Sequence, residues 1–391
     1  MRRDFSLIMR SALGLVVLVV SLARAGEDFD ARALRRIQNP PLGLPPVPVP
    51  AENPPTPEKI ALGRKLFFDR RLSVNNTMSC GMCHVPEQGF TSNELATPVG
   101  VEGRTVRRNS PTVINVAYVQ QVFHDGRETS IETQPISPLT AHNEMANPSM
   151  GFVLARIVSL DDYDGRFERV FGGGPTVDRL GQALSAWQRT LVAANSPFDR
   201  WKFGGDENAL TAEQKRGFAL FNGKASCSTC HTVDREFALF TDDGFHDTGI
   251  GYFREEVAPA DASPLPVEMA PGVVIPVERD YLDAISEKRE PDLGRFEVTQ
   301  KPEDKWRFRT PSLRNVAVTA PYMHDGSLRT LEDVVRFYAR GGVTHPGLDP
   351  LLRPIDLSEH DVAALVAFLQ GLTSPDLAEL VADARSVAVG D

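Results

Sequence analysis

The 391-residue chain is long enough for two domains of ordinary size, and its 41% hydrophobic and 24% charged residues make a normal globular balance. Its formal net charge of −10 argues against a nucleic-acid partner. Past the N-terminal segment no run is long and apolar enough to span a membrane, so no stable membrane insertion is expected.

Residues 1–25 read as a cleaved secretory signal, which implies a periplasmic protein. Arg2, Arg3 and Arg10 form a positive start, Ala12 to Leu22 an apolar core, and Ala23-Arg24-Ala25 a small-x-small cleavage site. Removing this segment takes away four Arg and one Asp, which moves the charge from −10 to −13. Arg2-Arg3 hints at a twin-arginine signal. The hint is set aside.

Residues 26–53 read as a Pro-rich lead-in, extended rather than a domain, with the prolines running from Asn39 to Pro57. Further on, Leu180, Leu184, Trp187 and Leu191 recur at helical spacing, as do Val362, Leu365, Val366 and Leu369. Strand-like alternation is missing. The expected fold is all-α with long loops.

All four cysteines fall in two motifs, Cys80-Gly-Met-Cys83-His84 and Cys227-Ser-Thr-Cys230-His231. In C-x-x-C-H, two thiols add to the vinyl groups of one haem and the adjacent His reaches the iron. Two such motifs predict two c-type haems with His84 and His231 as proximal ligands. The competing reading is a four-cysteine zinc site.

The chain also repeats internally. Gly63-x-x-Leu66-Phe67 precedes the first motif and Gly217-x-x-Leu220-Phe221 the second. Downstream, Pro111, Thr112, Asn115, Val116, Ala117, His124-Asp125-Gly126 and Glu132 recur 200 residues later, with Ser312 in place of the Thr. Each half is therefore expected to be one cytochrome c-like unit with its own haem. The units cover residues 54–200 and 201–391, with a connector near Asn195-Ser196-Pro197. Within the second half, Thr330 to Tyr338 looks helical, and the repeat position of Tyr338 is Pro138, which has no group able to bind iron. If Tyr338 ligates the second haem, the equivalent place above the first is vacant.

The chain resembles the bacterial di-haem cytochrome c peroxidase superfamily, and within it the MauG/MbnH-like branch. The marks are Leu62-Gly63-Arg64-x-Leu66-Phe67-Phe68-Asp69, Arg108-Asn109-Ser110-Pro111-Thr112, Asp125-Gly126-Arg127, Glu144-Met145, Ser196-Pro197-Phe198-Asp199-Arg200 and Ala320-Pro321-Tyr322-Met323-His324-Asp325-Gly326, together with both haem motifs. The resemblance implies that the N-terminal haem binds peroxide, with Gln134 and Glu144 as the distal amide and carboxylate. A carboxylate suits the proton shuttle that peroxide cleavage requires, and an amide can hydrogen-bond peroxide without changing charge. The resemblance also implies Tyr338 as the second axial ligand of the C-terminal haem. It further implies one calcium ion held by Asn109, Thr319 and Pro321, two of them through backbone carbonyls.

Two departures stand out. Val101 occupies the place of the family's distal His, and valine cannot bind iron, so the first haem is expected to be five-coordinate at rest. His124 stands where a Trp usually lies between the haems, and its repeat partner His324 suggests a plain structural role for both. Ala225 stands where MauG has a surface Trp before the second haem motif.

Three functions are compatible with this reading. The first is a MauG-like peroxidase: hydrogen peroxide reacts at the open N-terminal haem, and the oxidising equivalents are shared with the Tyr/His-ligated C-terminal haem. The second is a conventional cytochrome c peroxidase that removes peroxide with electrons from a small cytochrome or copper protein. The third is a non-enzymatic di-haem electron carrier. Each implies a redox partner protein.

Overall fold

The computed structural model of the protein describes residues 29–257, 264–270, 272–278 and 290–387, so the reading of residues 1–25 as a signal lies outside the described residues. Helices dominate and there is little sheet. The longer helices are α1 (29–38), α2 (Pro57–Phe68), α3 (Val177–Gln188), α4 (Ala212–Asn222), α5 (Leu331–Ala339), α6 (Glu359–Gln370) and α7 (Leu377–Arg385). Their starts are written in the sequence. Thr56 caps α2 with Pro57 in its first turn, and Thr211, Thr330 and Ser358 open α4, α5 and α6 with reciprocal capping boxes.

The Gly-x-x-Leu-Phe motif has a physical reason in each half. At Gly63, α2 crosses α3 so closely that a Cβ would lie 1.9 Å from the Ala183 carbonyl oxygen. At Gly217, α4 crosses α6 with the same contact, 2.0 Å from the Ala364 carbonyl oxygen. The Phe four residues on is buried against an aromatic partner: Phe67 lies 4.5 Å from Trp187 and Phe221 lies 5.1 Å from Phe368, centroid to centroid. Asn115 and Asn315 repeat as well, both at φ 61°, a left-handed conformation that Asn tolerates. Asn115 exchanges two 2.9 Å bonds with the backbone of Ala193, and Asn315 accepts from Ser374 N at 2.8 Å.

Each helix pair has its own hydrophobic cluster. One surrounds Trp187 and Phe67, the other Phe198, Phe221 and Phe368. Between them, Arg314 pairs with Asp199 through two 2.9 Å contacts, both side chains being buried. Its Nη2 also donates to the Gly43 carbonyl at 2.5 Å, which ties the lead-in to the second unit.

The structure adds four details. In the segment 26–53, α1 buries Ala33 and Ile37, and Leu44 and Val47 are buried behind it. Helix α7 packs Leu380 and Ala384 into the N-terminal cluster. Short strands accompany the helices. Strands β1 (Phe245–His246) and β4 (Phe308–Arg309) pair, and β2 (Leu265–Ala270) forms an antiparallel hairpin with β3 (Val273–Val277). Helix α3 stops at Gln188, so Leu191 lies beyond it. There Leu191 O accepts from Asn115 N at 2.7 Å. No helix among the described residues is long and apolar enough to cross a membrane.

Candidate haem-binding and peroxide site

The first thiol pair lies on a single helical turn, Cys80–Cys83, and the second on the 3₁₀ turn Cys227–Thr229 and its C-cap, Cys230. A turn of this kind presents both sulfurs to one side and leaves the following His free to face the same space. None of the four cysteines is in a disulfide. The four thiols do not converge on one point among the described residues, which removes the zinc alternative. Burial pushes the Cys80, Cys83 and Cys227 thiols up to about 12.

The two histidines are held alike. His84 Nδ1 meets the Phe90 carbonyl at 3.2 Å, with Ser110 Oγ at 3.3 Å. His231 Nδ1 meets the Phe240 carbonyl at 2.8 Å. A carbonyl accepting from Nδ1–H fixes the tautomer and leaves Nε2 as the free donor for a metal. Burial pushes His84 down to about 4 and lowers His231 as well, so both rings are neutral. A haem fits each motif on this donor set: two thiols outside any disulfide and one oriented neutral imidazole.

Phe90 and Phe240 escaped the sequence reading. Both are fully buried, at φ 56° and 54°. The strain turns each carbonyl toward its His. The Thr that follows locks each one in place: Thr91 Oγ1 donates to the Ser110 carbonyl and Thr241 Oγ1 to the Thr310 carbonyl, the latter at 2.7 Å. The recurring Phe-Thr pair after each haem motif was the available signal.

On the far side of the first thiol pair, residues 134–145 fold back on themselves. Gln134 N bonds Ser130 O at 3.1 Å, Pro138 sits in the short helix Ile136–Thr140, and Met145 N returns to Pro138 O at 3.1 Å. Glu144 lies near enough for its charge to help raise both Cys80 and Cys83. Burial raises the Glu144 carboxyl itself, with Arg127 opposing. Val101 is buried and its N–H donates to the Glu144 carbonyl at 2.9 Å. The valine and the carboxylate are thus backbone neighbours. No bond joins Gln134 directly to Glu144 among the described residues.

Beside the second pair, burial raises the Tyr338 phenol, and the Cys230 and Cys227 sulfurs add to the rise, which sets the ring close to both. Ala225 is buried in the second cluster. Between the halves, Asn109 joins the two histidines: its carbonyl meets His124 Nε2 at 3.0 Å and its N–H donates to the His324 carbonyl at 2.7 Å. Burial pushes His124 down to about 3 and His324 to about 4, so both are neutral. The Asn109 amide nitrogen donates to the Ala96 carbonyl at 2.8 Å. Among the described residues, neither its Oδ1 nor the Thr319 or Pro321 carbonyl accepts a hydrogen bond.

The profile of the family described as di-haem cytochrome c peroxidase matches residues 57–208. The cytochrome-c peroxidase IdrP1 of Denitromonas iodatirespirans is 38% identical over 373 residues, 92% of either chain. The methylamine utilization protein MauG of Methylorubrum extorquens is 39% identical over 330 residues, covering 83% of this chain and 81% of its own. The chain belongs to the di-haem cytochrome c peroxidase family. Among solved structures, a MauG-like protein associated with microbial copper homeostasis superposes with TM-score 0.70 at 30% identity, covering 87% of this chain and 96% of that one. The protein is thus a haem peroxidase-type oxidoreductase, and its family implies two c-type haems, peroxide as oxidant and a redox partner.

Proposed function

We propose that the protein is an exported, periplasmic peroxidase of the MauG-like kind, with two cytochrome c-like units related by an internal repeat. Peroxide reacts at the His84 site, and the oxidising equivalents are shared with the His231–Tyr338 site. The observation that carries this reading is Val101. It is buried and bonded to the backbone of Glu144, and a valine side chain cannot bind iron. When bound, the two haems supply the redox chemistry.

The remaining work falls to side chains. Burial raises the Glu144 carboxyl, and a carboxyl placed beside peroxide can take a proton from one oxygen and give it to the other. The Gln134 amide donates to the same ligand without changing charge. The Phe90 carbonyl holds His84 in register. The Tyr338 phenol, close to Cys227 and Cys230, would hold the second haem with a hard oxygen donor, which would lower the potential there. Asn109 Oδ1 and the Thr319 and Pro321 carbonyls suit a calcium ion, since all three oxygens lack a donor among the described residues. The physiological reductant is a partner protein: a small cytochrome, a copper protein or an oxidisable protein substrate.

Electron paramagnetic resonance of the resting ferric protein tests the reading. The expected spectrum has one high-spin and one low-spin haem, and peroxide should react without prior reduction. Two low-spin haems at rest would sink the open-site assignment. Tyr338→Phe should change the low-spin component only; an unchanged component removes Tyr338 from the site. Rapid turnover on reduced cytochrome c with no persistent oxidised state would favour the conventional peroxidase instead.

A further inference from the structure

One aromatic cluster is not used by the chemistry above. The Tyr252 ring stacks on the His345 imidazole, with centroids 4.4 Å apart and planes at 7°. Trp306 sets its ring edge-on to both, at 5.2 and 5.6 Å. Beneath them His345 Nε2 lies 3.0 Å from Asp247 Oδ2, each side chain only 1% exposed. The packing is close because of Gly251, where a Cβ would stand 2.9 Å from Trp306 Cδ1. Tyr252 ends the helical turn Ile250–Tyr252, and the backbone runs on as a π turn, Phe253–Val257. Such turns occur disproportionately at functional sites.

The cluster's inner end abuts the second thiol pair. Asp247 follows His246, whose ring nitrogen lies within 4.8 Å of Cys230 Sγ. A short strap leads from the axial tyrosine to His345: Gly341 N bonds Tyr338 O at 2.9 Å, and Val343 N bonds Thr248 O at 3.1 Å. The outer end meets solvent, where the Lys305 ammonium sits 4.0 Å from the Trp306 ring centre and pairs with exposed Glu256 at 3.4 Å.

A packing cluster has no need of a buried carboxyl set against an imidazole. Burying the Asp247 carboxylate against an imidazole costs desolvation that an apolar pair would avoid. The Trp306 indole N–H is also buried with no partner among the described residues. Both costs make sense for rings that pass electrons. Tyr and Trp are among the most readily oxidised side chains, and a carboxylate nearby offsets the positive charge that an oxidised ring acquires.

We propose that Trp306 and Tyr252 form a redox-active pair, passing single electrons from a one-electron reductant at the surface to the second-haem site. The proposal rests on the peroxidase reading. Reducing one peroxide to two waters takes two electrons and two protons. Each electron leaves the aromatic pair toward the second-haem site and is replaced by one from the reductant. Trp306 carries the hole as an indole radical cation, whose transient positive charge Asp247 offsets through His345; Tyr252 on oxidation releases its phenolic proton to solvent and takes one back when it is re-reduced.

The test uses the haem-loaded protein, mixed with peroxide without reductant and freeze-quenched for electron paramagnetic resonance. Wild type should show an organic radical whose signal narrows when Trp and Tyr are supplied ring-deuterated. The signal should be lost in the Trp306→Phe/Tyr252→Phe double variant, while the haem absorbance change on adding peroxide persists. The proposal is overturned by a full-strength radical in the double variant. It is also overturned by a wild type that shows the haem change with no organic radical, or a signal that deuteration leaves unchanged. Haem absorbance unaffected by peroxide would instead overturn the peroxidase reading beneath it.

Discussion

Glu132 shows how one carboxylate can hold the segment that carries Gln134. Its Oε1 lies 2.6 Å from Arg189 Nη1 and accepts from Asn53 Nδ2 and Ser185 Oγ, each at 3.1 Å. Its Oε2 accepts from Ser130 Oγ at 2.7 Å. These bonds join the lead-in, α3 and the start of the loop that carries Gln134. Burial alone would raise the carboxyl, but the bonds from Arg189, Ser130 and Asn53 outweigh it and bring it down to about 2 from 4.5. A depressed folded-state value means stability present above about 4.5 and lost as the pH falls toward about 2, on the order of 3 kcal/mol in full. The side chain is 19% exposed, too little for solvent to erase the effect. Glu132→Gln should therefore unfold at lower urea than wild type at neutral pH, and the gap should close as the pH drops through that window. Urea midpoints measured across the range check this, and a gap that stays constant with pH would refute it. The repeat partner Glu332 has a different role, an exposed pair with Arg336 on one helix face. Identity across the repeat therefore does not carry identity of environment.

Among the elements, the two glycine crossings are the strictest requirement. At Gly63 and Gly217 the obstacle to a methyl group is a backbone carbonyl, which cannot swing aside as a side chain would. Gly63→Ala must push α2 from α3, and Gly217→Ala must push α4 from α6, at a cost of about 3 kcal/mol each. Hydrogen exchange should show lost protection confined to the affected helix pair in each variant. Stability within about 0.5 kcal/mol of wild type would show that the helices part more easily than the geometry indicates. These crossings were legible as Gly-x-x-Leu-Phe, and so were the caps and both haem motifs, because each is a local pattern. The end of α3 was not. Periodicity carries on to Leu191, but the chain leaves the helix so that residues 191–193 can pair with Asn115, a partner far away in sequence. The β2–β3 hairpin was hidden by Pro266 and Pro276, which argue against strands. They sit opposite each other in a two-stranded ladder, where both strands are edges and a missing N–H is tolerated. Phe90 and Phe240 were hidden for another reason: they act through their carbonyls, so the side chain reads only as core.

At the scale of the molecule, the two ends of the described chain close on each other over the first haem motif. Arg36 of α1 reaches Asp383 at 2.6 Å and Glu379 at 3.0 Å, and Arg64 of α2 reaches Asp383 at 2.8 Å. Arg385 forks onto Glu87, three residues past His84, at 2.6 and 2.8 Å. Leu380 is fully buried among residues of the N-terminal cluster. Nothing local in either segment says that the two ends meet. The chain passes through the whole second unit before returning to stabilise the first. A cavity cut into α7 should therefore be felt far from it in sequence. Leu380→Ala removes a fully buried side chain beneath rigid neighbours and should cost about 2–5 kcal/mol. The loss should appear as faster hydrogen exchange in α1, α2 and the Cys80–Cys83 turn, with α4 and α6 retaining their protection. The reverse pattern, with loosening in α4 and α6, would assign α7 to the second unit and undo the clasp. If the clasp holds, the variant's first haem, read from its high-spin absorbance, should be released from its native environment at lower denaturant than the second, because α7 and its Arg385–Glu87 pair brace only the His84 side.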